Sequence, residues 1–132
     1  MVFSFSVLGG NNITMEQYQK DFKAFLANFK ATPVSGVEAG EFAIKLADYY
    51  SDQNLRTIEE LRKFNMVKKV CSEQMDSNDK PISIAKAELL ADATPEAHSF
   101  EIARAHLGNL DQMISAVKTL QKGLVNEYNR VQ

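Results

Sequence analysis

One spacing constrains this chain more than any other feature. Phe100, Ala103, Leu107, Leu110, Ile114, Val117, Gln121, Leu124, Tyr128 and Val131 follow one another by alternate steps of three and four without a slip. That is an a/d heptad line sustained over more than four heptads, the pattern of a helix laid against another helix. His106, Met113 and Leu120 lie beside the line and widen it. Thr94-Pro95-Glu96 starts this helix: Thr as N-cap, Pro in the first turn and an acidic residue facing the positive end of the helix dipole.

The length of that helix poses a problem of cover. About 37 residues at 1.5 Å each make a rod of about 55 Å. A 132-residue globule is only about 35 Å across. We therefore expect an all-α fold, an elongated helical hairpin or bundle with a long C-terminal coiled-coil-like helix. We also expect a homo-oligomer whose interface uses Phe100, Leu107, Leu110, Ile114, Val117, Gln121, Leu124 and Tyr128. Gln121 at a core position suits this, because a polar core residue can set register or oligomer state.

Upstream, Tyr18, Phe22, Phe25, Leu26 and Phe29 share one helical face over 15–31. Thr14 with Gln17 reads as its capping box. That aromatic stripe packs on the protein's own helices or docks a partner. Pro33 ends the helix at Thr32. Ser35 with Glu38 is a second capping box and opens a helix over 37–50. Polar Ser51-Asp52-Gln53-Asn54 can break or kink this helix; 37–76 is one helix or two, with a kink favoured, and the part from 55 to 76 runs through Leu55, Ile58, Leu61, Phe64, Val67, Cys71 and Met75. This segment, about 33 Å long, is the antiparallel partner we expect for the C-terminal helix, and it would leave about 20 Å of the heptad line bare unless the two helices before it fill in. A break at 76–81 with Pro81 in the next first turn leads into a short helix over 82–93.

The domain organisation follows. Residues 1–12 form an arm, in which Phe3, Phe5 and Val7 alternate with Ser4 and Ser6 at strand period. It is either loosely packed or laid on a neighbouring subunit, and Gly9-Gly10-Asn11-Asn12 separates it from a single helical domain, 13–132.

Composition excludes several functions. The formal charge is −2, from 15 Lys+Arg against 17 Asp+Glu, so a polyanion is not the favoured partner. Arg56, Arg62, Lys63 and Lys69 are nonetheless a basic concentration that could follow a phosphate backbone, though Glu59, Glu60 and Glu73 interleave with Lys68 and its neighbours. Cys71 is the sole cysteine; its place on an apolar helical face marks it as a buried structural residue, and a reducing compartment is expected. His98 with Glu101 is a single reversed pair, where a di-iron bundle needs Glu-x-x-His twice. His98 and His106 do not converge. No Gly-x-Ser-x-Gly, Walker or phosphate-loop pattern occurs. We expect no enzyme, no cofactor, no metal, no membrane span and, with no basic n-region before the first apolar residues, a cytoplasmic location.

Ile84-Ala85-Lys86-Ala87-Glu88, then Ala93-Thr94-Pro95-Glu96, then Leu120-Gln121-Lys122-Gly123 before Glu127-Tyr128 give residues 55–130 a resemblance to small all-helical accessory proteins of tailed bacteriophages. The resemblance implies a virus-encoded accessory protein that works in the host cytoplasm or in the virion. Its partner would be a phage or host protein, and it transfers no site residues. The reading from residues and resemblance together is a non-enzymatic, oligomeric protein–protein interaction or assembly protein. Two alternatives stand beside it: a nucleic-acid-associated factor using the Arg56–Lys69 face, and an oligomer that sequesters a small ligand.

Overall fold

The computed structural model describes residues 16–131. The arm with Phe3 and Phe5 and the Thr14 cap lie outside these residues. Four helices follow in order: α1 (Gln17–Ala31), α2 (Gly36–Ser72), α3 (Ile84–Asp92) and α4 (Pro95–Val131). The fold class is all-α, with a long C-terminal helix packed against other helices.

α1 is capped at Glu16, whose backbone N–H donates to Gln19 Oε1 at 2.9 Å. It ends as expected at Thr32, which donates both its N–H and its hydroxyl to the Asn28 carbonyl. The Ser35–Glu38 capping box is present and reciprocal, with both bonds at 3.1 Å.

α2 corrects the expected kink. It is one helix of 37 residues, the same length as α4. The polar run at 51–54 does not break it because three of those residues, Ser51, Asp52 and Asn54, are exposed and solvated. The fourth, Gln53, is buried with its amide satisfied. Its Nε2 donates to the Ala103 carbonyl at 3.2 Å and to Thr57 Oγ1 at 3.4 Å. Thr57 in turn donates to the Gln53 carbonyl at 2.8 Å, bonding back along the helix as mid-helical Thr does.

The buried line of α2 also differs from the expected one. Gly36, Ala39, Ala43, Leu46, Tyr50, Gln53, Thr57, Glu60, Phe64, Val67 and Cys71 are all buried or half-buried. They step by three and four residues without a slip. α2 thus carries a heptad line of its own, disguised by small and polar residues. Leu55, Ile58, Leu61 and Met75, expected on the buried face, are exposed. The helix ends at Ser72 rather than 76, and the connection over 73–83 is tied by an isolated bridge between Met75 and Pro81. Asp76 Oδ1 accepts from the N–H of Asn78 and of Lys80. Pro81 therefore lies in this turn, and α3 is capped by Ser83, whose Oγ accepts from Lys86 N–H at 3.1 Å. α4 begins as predicted, with Thr94 Oγ1 accepting from Ala97 N–H and Pro95 first in the helix.

The described residues divide into two compact units, one of 16–49 with 112–131 and one of 50–111. In the first, α1 lays its aromatic face on α2: Phe25 stacks on Phe42 with centroids 4.4 Å apart, and Tyr18 tilts against Tyr49. Leu26 and Phe29 at the end of α1 remain partly exposed. In the second, the core gathers Phe64, Cys71, Ala91 and Ala97, with Val67 and Phe100 packed on it. Cys71 is buried there, as its apolar face predicts. The alanines of α3 serve close approach, Ala87 and Ala91 being buried.

Candidate interaction surfaces

In the first unit, the start of α2 meets the last third of α4 at close range. A β-carbon on Gly36 would stand 3.1 Å from Val125 Cγ2, and one on Gly40 only 2.6 Å from Gln121 Nε2. Beside this contact a cleft of about 450 Å³ opens, lined chiefly by Val34, Val37, Gln121, Leu124, Val125 and Tyr128. Its walls are largely apolar, and Val37 and Tyr128 are 72% and 63% exposed. A concave, mostly apolar space of that size is within the range of small-ligand sites.

In the second unit, α2 turns a different surface outward. At 100° per residue, Leu55, Glu59, Arg62 and Met66 fall within about 60° of one another. They lie on the side opposite the buried Gln53, Thr57, Phe64 and Cys71. Leu55 and Met66 are 66% and 65% exposed. Ile58 flanks them on one edge and, with Leu61 further round the helix and Arg62, Asn65, Met66 and Lys69, lines a shallow groove.

The residues singled out in sequence are distributed between these surfaces and the interior. Leu110 and Val117 are buried, and Phe100, Leu107 and Ile114 are half-buried under the chain's own helices. On the heptad line every member from Phe100 to Leu124 is buried or half-buried, and Tyr128 beyond them is exposed. Gln121 and Leu124 are half-buried and Tyr128 exposed, and these three are brought together in the cleft. Of the basic residues, Arg62 pairs with Glu59, and Lys63 pairs with Glu60 at 3.4 Å. Both pairs join residues three apart on the helix. Arg56 donates to Gln53 Oε1 at 3.5 Å. Lys69 stands on the groove, while Lys68 lies over the Phe64 ring, 4.6 Å from its centroid. Val37 and Val125 were not singled out; no sequence signal separates an exposed valine that walls a cleft from one that is simply solvated.

A polar cluster joins α1 to α2. Tyr49 donates its phenol proton to Asp21 Oδ2 at 2.5 Å, and Lys45 Nζ stands 3.2 Å from the same oxygen. The Tyr49 bond, opposed by desolvation and helped by Gln17 and Lys45, holds the Asp21 carboxyl below its ordinary value. The same bond, with burial, pushes the Tyr49 phenol up to about 12. The hydrogen bond and the ion pair converge on one carboxylate and pin α1 to α2. Among the described residues no group of three or more His, Cys, Asp or Glu could hold a metal ion. No helix there is long and apolar enough to cross a membrane.

No protein-family model matches this chain, and no curated protein or solved structure is significantly similar to it.

Proposed function

We propose that this protein is a non-enzymatic interaction protein that assembles with copies of itself and with a phage or host protein through exposed apolar helix surface. We place it, on the resemblance of its C-terminal half, among virus-encoded accessory factors of the host cytoplasm or the virion. One observation carries the reading: Leu55, Ile58 and Met66 stand exposed on the side of α2 turned away from its buried line. Clustered apolar surface rimmed by charge is what interaction sites offer. Self-assembly places the interface on this face of α2 and at the cleft with Gln121, Leu124 and Tyr128; Leu110 and Val117 are already covered by their own chain. Light scattering coupled to size exclusion at micromolar concentration tests it. A mass above that of one chain is expected, and a strictly single-chain mass removes self-assembly.

The cleft of about 450 Å³ supports a second reading, a carrier for a small apolar molecule. Native mass spectrometry of freshly purified protein would then show a co-purified mass. The nucleic-acid reading has less support, because Arg62 and Lys63 are each paired with a glutamate. It requires a mobility shift at low salt that weakens when Arg62, Lys63 and Lys69 are changed to Glu.

A further inference from the structure

The outer stripe of α2 has an order to it: Leu55, Glu59, Arg62, Met66, that is apolar, acidic, basic, apolar. Reversed end to end, the order keeps its apolar ends and exchanges its charges. An isologous two-fold interface requires such a sequence, since residue i must suit residue j and j must suit i. We propose that the protein forms an antiparallel dimer through this stripe, with a two-fold axis passing between residues 60 and 61 of each copy. The proposal deepens the self-assembly reading above by naming its interface.

In this register Leu55 of one copy lies at the level of Met66 of the other. Glu59 lies at the level of Arg62, and each pairing occurs twice. The four layers span about 16 Å along the helix at 1.5 Å per residue. The apolar ends of the stripe are well exposed, Leu55 at 66% and Met66 at 65%. Within one chain Glu59 and Arg62 already touch, with side chains 49% and 65% exposed. The reach that joins them at three residues' spacing also spans the seam, so each glutamate can pair with both arginines. Ile58 extends the apolar rim on one side, where the groove is. A parallel arrangement would set Glu59 beside Glu59 and Arg62 beside Arg62, and like charges across an interface are costly. The charge order thus selects the antiparallel pairing and a second copy of this chain as the occupant.

The test is a charge swap across the two-fold axis. Wild-type protein at micromolar concentration is expected to have the mass of two chains. Glu59→Arg sets arginine against arginine in the dimer, and Arg62→Glu sets glutamate against glutamate. Each is expected to weaken dimerisation on the order of 100-fold and to give the mass of one chain, with far-UV helicity unchanged because both sites are exposed. Mixing the two variants in equal amounts restores opposite charges across the axis but not within either chain. The mixture is expected to regain the mass of two chains, one of each kind by native mass spectrometry. A wild type of single-chain mass overturns both this interface and self-assembly. A dimeric wild type whose single variants stay dimeric, or whose mixture stays monomeric, overturns the interface alone. A single-chain wild type that binds single-stranded or duplex nucleic acid, and loses this with Arg62→Glu, assigns the stripe to phosphate contact instead.

Discussion

A β-carbon placed on Gly40 would lie 2.6 Å from Gln121 Nε2, so the carboxamide of α4 rests over bare backbone of α2. The atom in the way is the far end of a flexible side chain. Gly40→Ala is therefore expected to change stability by less than about 1 kcal/mol, as the gain in helix propensity offsets the displacement of Gln121. In a Gln121→Ala background the same substitution should stabilise by about 1 kcal/mol. Urea denaturation of the four proteins measures the coupling. A large loss in both backgrounds would mean that backbone, not the carboxamide, occupies the site.

Asp21 and Tyr49 make stability depend on pH at both ends. Asp21 has a folded value below its ordinary 3.8, so its contribution is complete above 3.8 and lost as pH falls through the folded value. Tyr49 is raised from 10.0 to about 12, so its contribution is complete below pH 10.0 and lost as pH rises towards about 12. Tyr49→Phe should cost about 1 kcal/mol at neutral pH and flatten the alkaline limb. Thermal melts at neutral pH and from about pH 9 to about 12 check both. A variant with an unchanged alkaline limb would show that another group titrates there.

Leu110 is 1% exposed and Leu107 half-buried on the same line of α4. Leu110→Ala should cost about 3–5 kcal/mol and Leu107→Ala less, about 1–3 kcal/mol. Equal losses, or two near-neutral results in chemical denaturation, would contradict the burial of this seam.

Gln53 donates to the Ala103 carbonyl inside the second unit. Gln53→Ala removes the carboxamide donor to that carbonyl, and the single Thr57 hydroxyl proton, given to the Gln53 carbonyl at 2.8 Å, can reach it at 3.3 Å only by turning away. The expected loss is about 1–3 kcal/mol. Hydrogen exchange should report it as faster opening of α2 around 53–57, without dissociation of any wild-type assembly.

Asp79 has φ 59° in the turn before α3. Asp tolerates this region and β-branched residues do not. Asp79→Val should cost about 1–2 kcal/mol, whereas Asp79→Gly should cost nothing. Their melting temperatures, compared side by side, decide this.

Much of the fold was legible in order of residues. The steps from Phe100 onward, the Thr94-Pro95 start and the Ser35–Glu38 box each act within a few residues, and local hydrogen bonding or periodicity is enough to reveal them. The second heptad line was legible only at Phe64, Val67 and Cys71. Its members include Gly36, Ala39, Gln53, Thr57 and Glu60, which carry little or no apolar signal. Reading by hydropathy promoted Leu55, Ile58 and Leu61 to the core and left Gln53 outside it. The surfaces were legible in the same uneven way. Gln121, Leu124 and Tyr128 follow from spacing, while the cleft they share with Val37 required knowing which turn of α2 stands opposite.

Residue order alone determined that this chain is helical, where its last helix begins, and that this helix has one continuous apolar side. These are properties of neighbours along the backbone. Tertiary structure alone decided what covers that side and which side of α2 looks outward. Gln53 can be buried only because the Ala103 carbonyl, fifty positions away, accepts its proton, and burying Gln53 and Thr57 is what turns Leu55 and Met66 towards water.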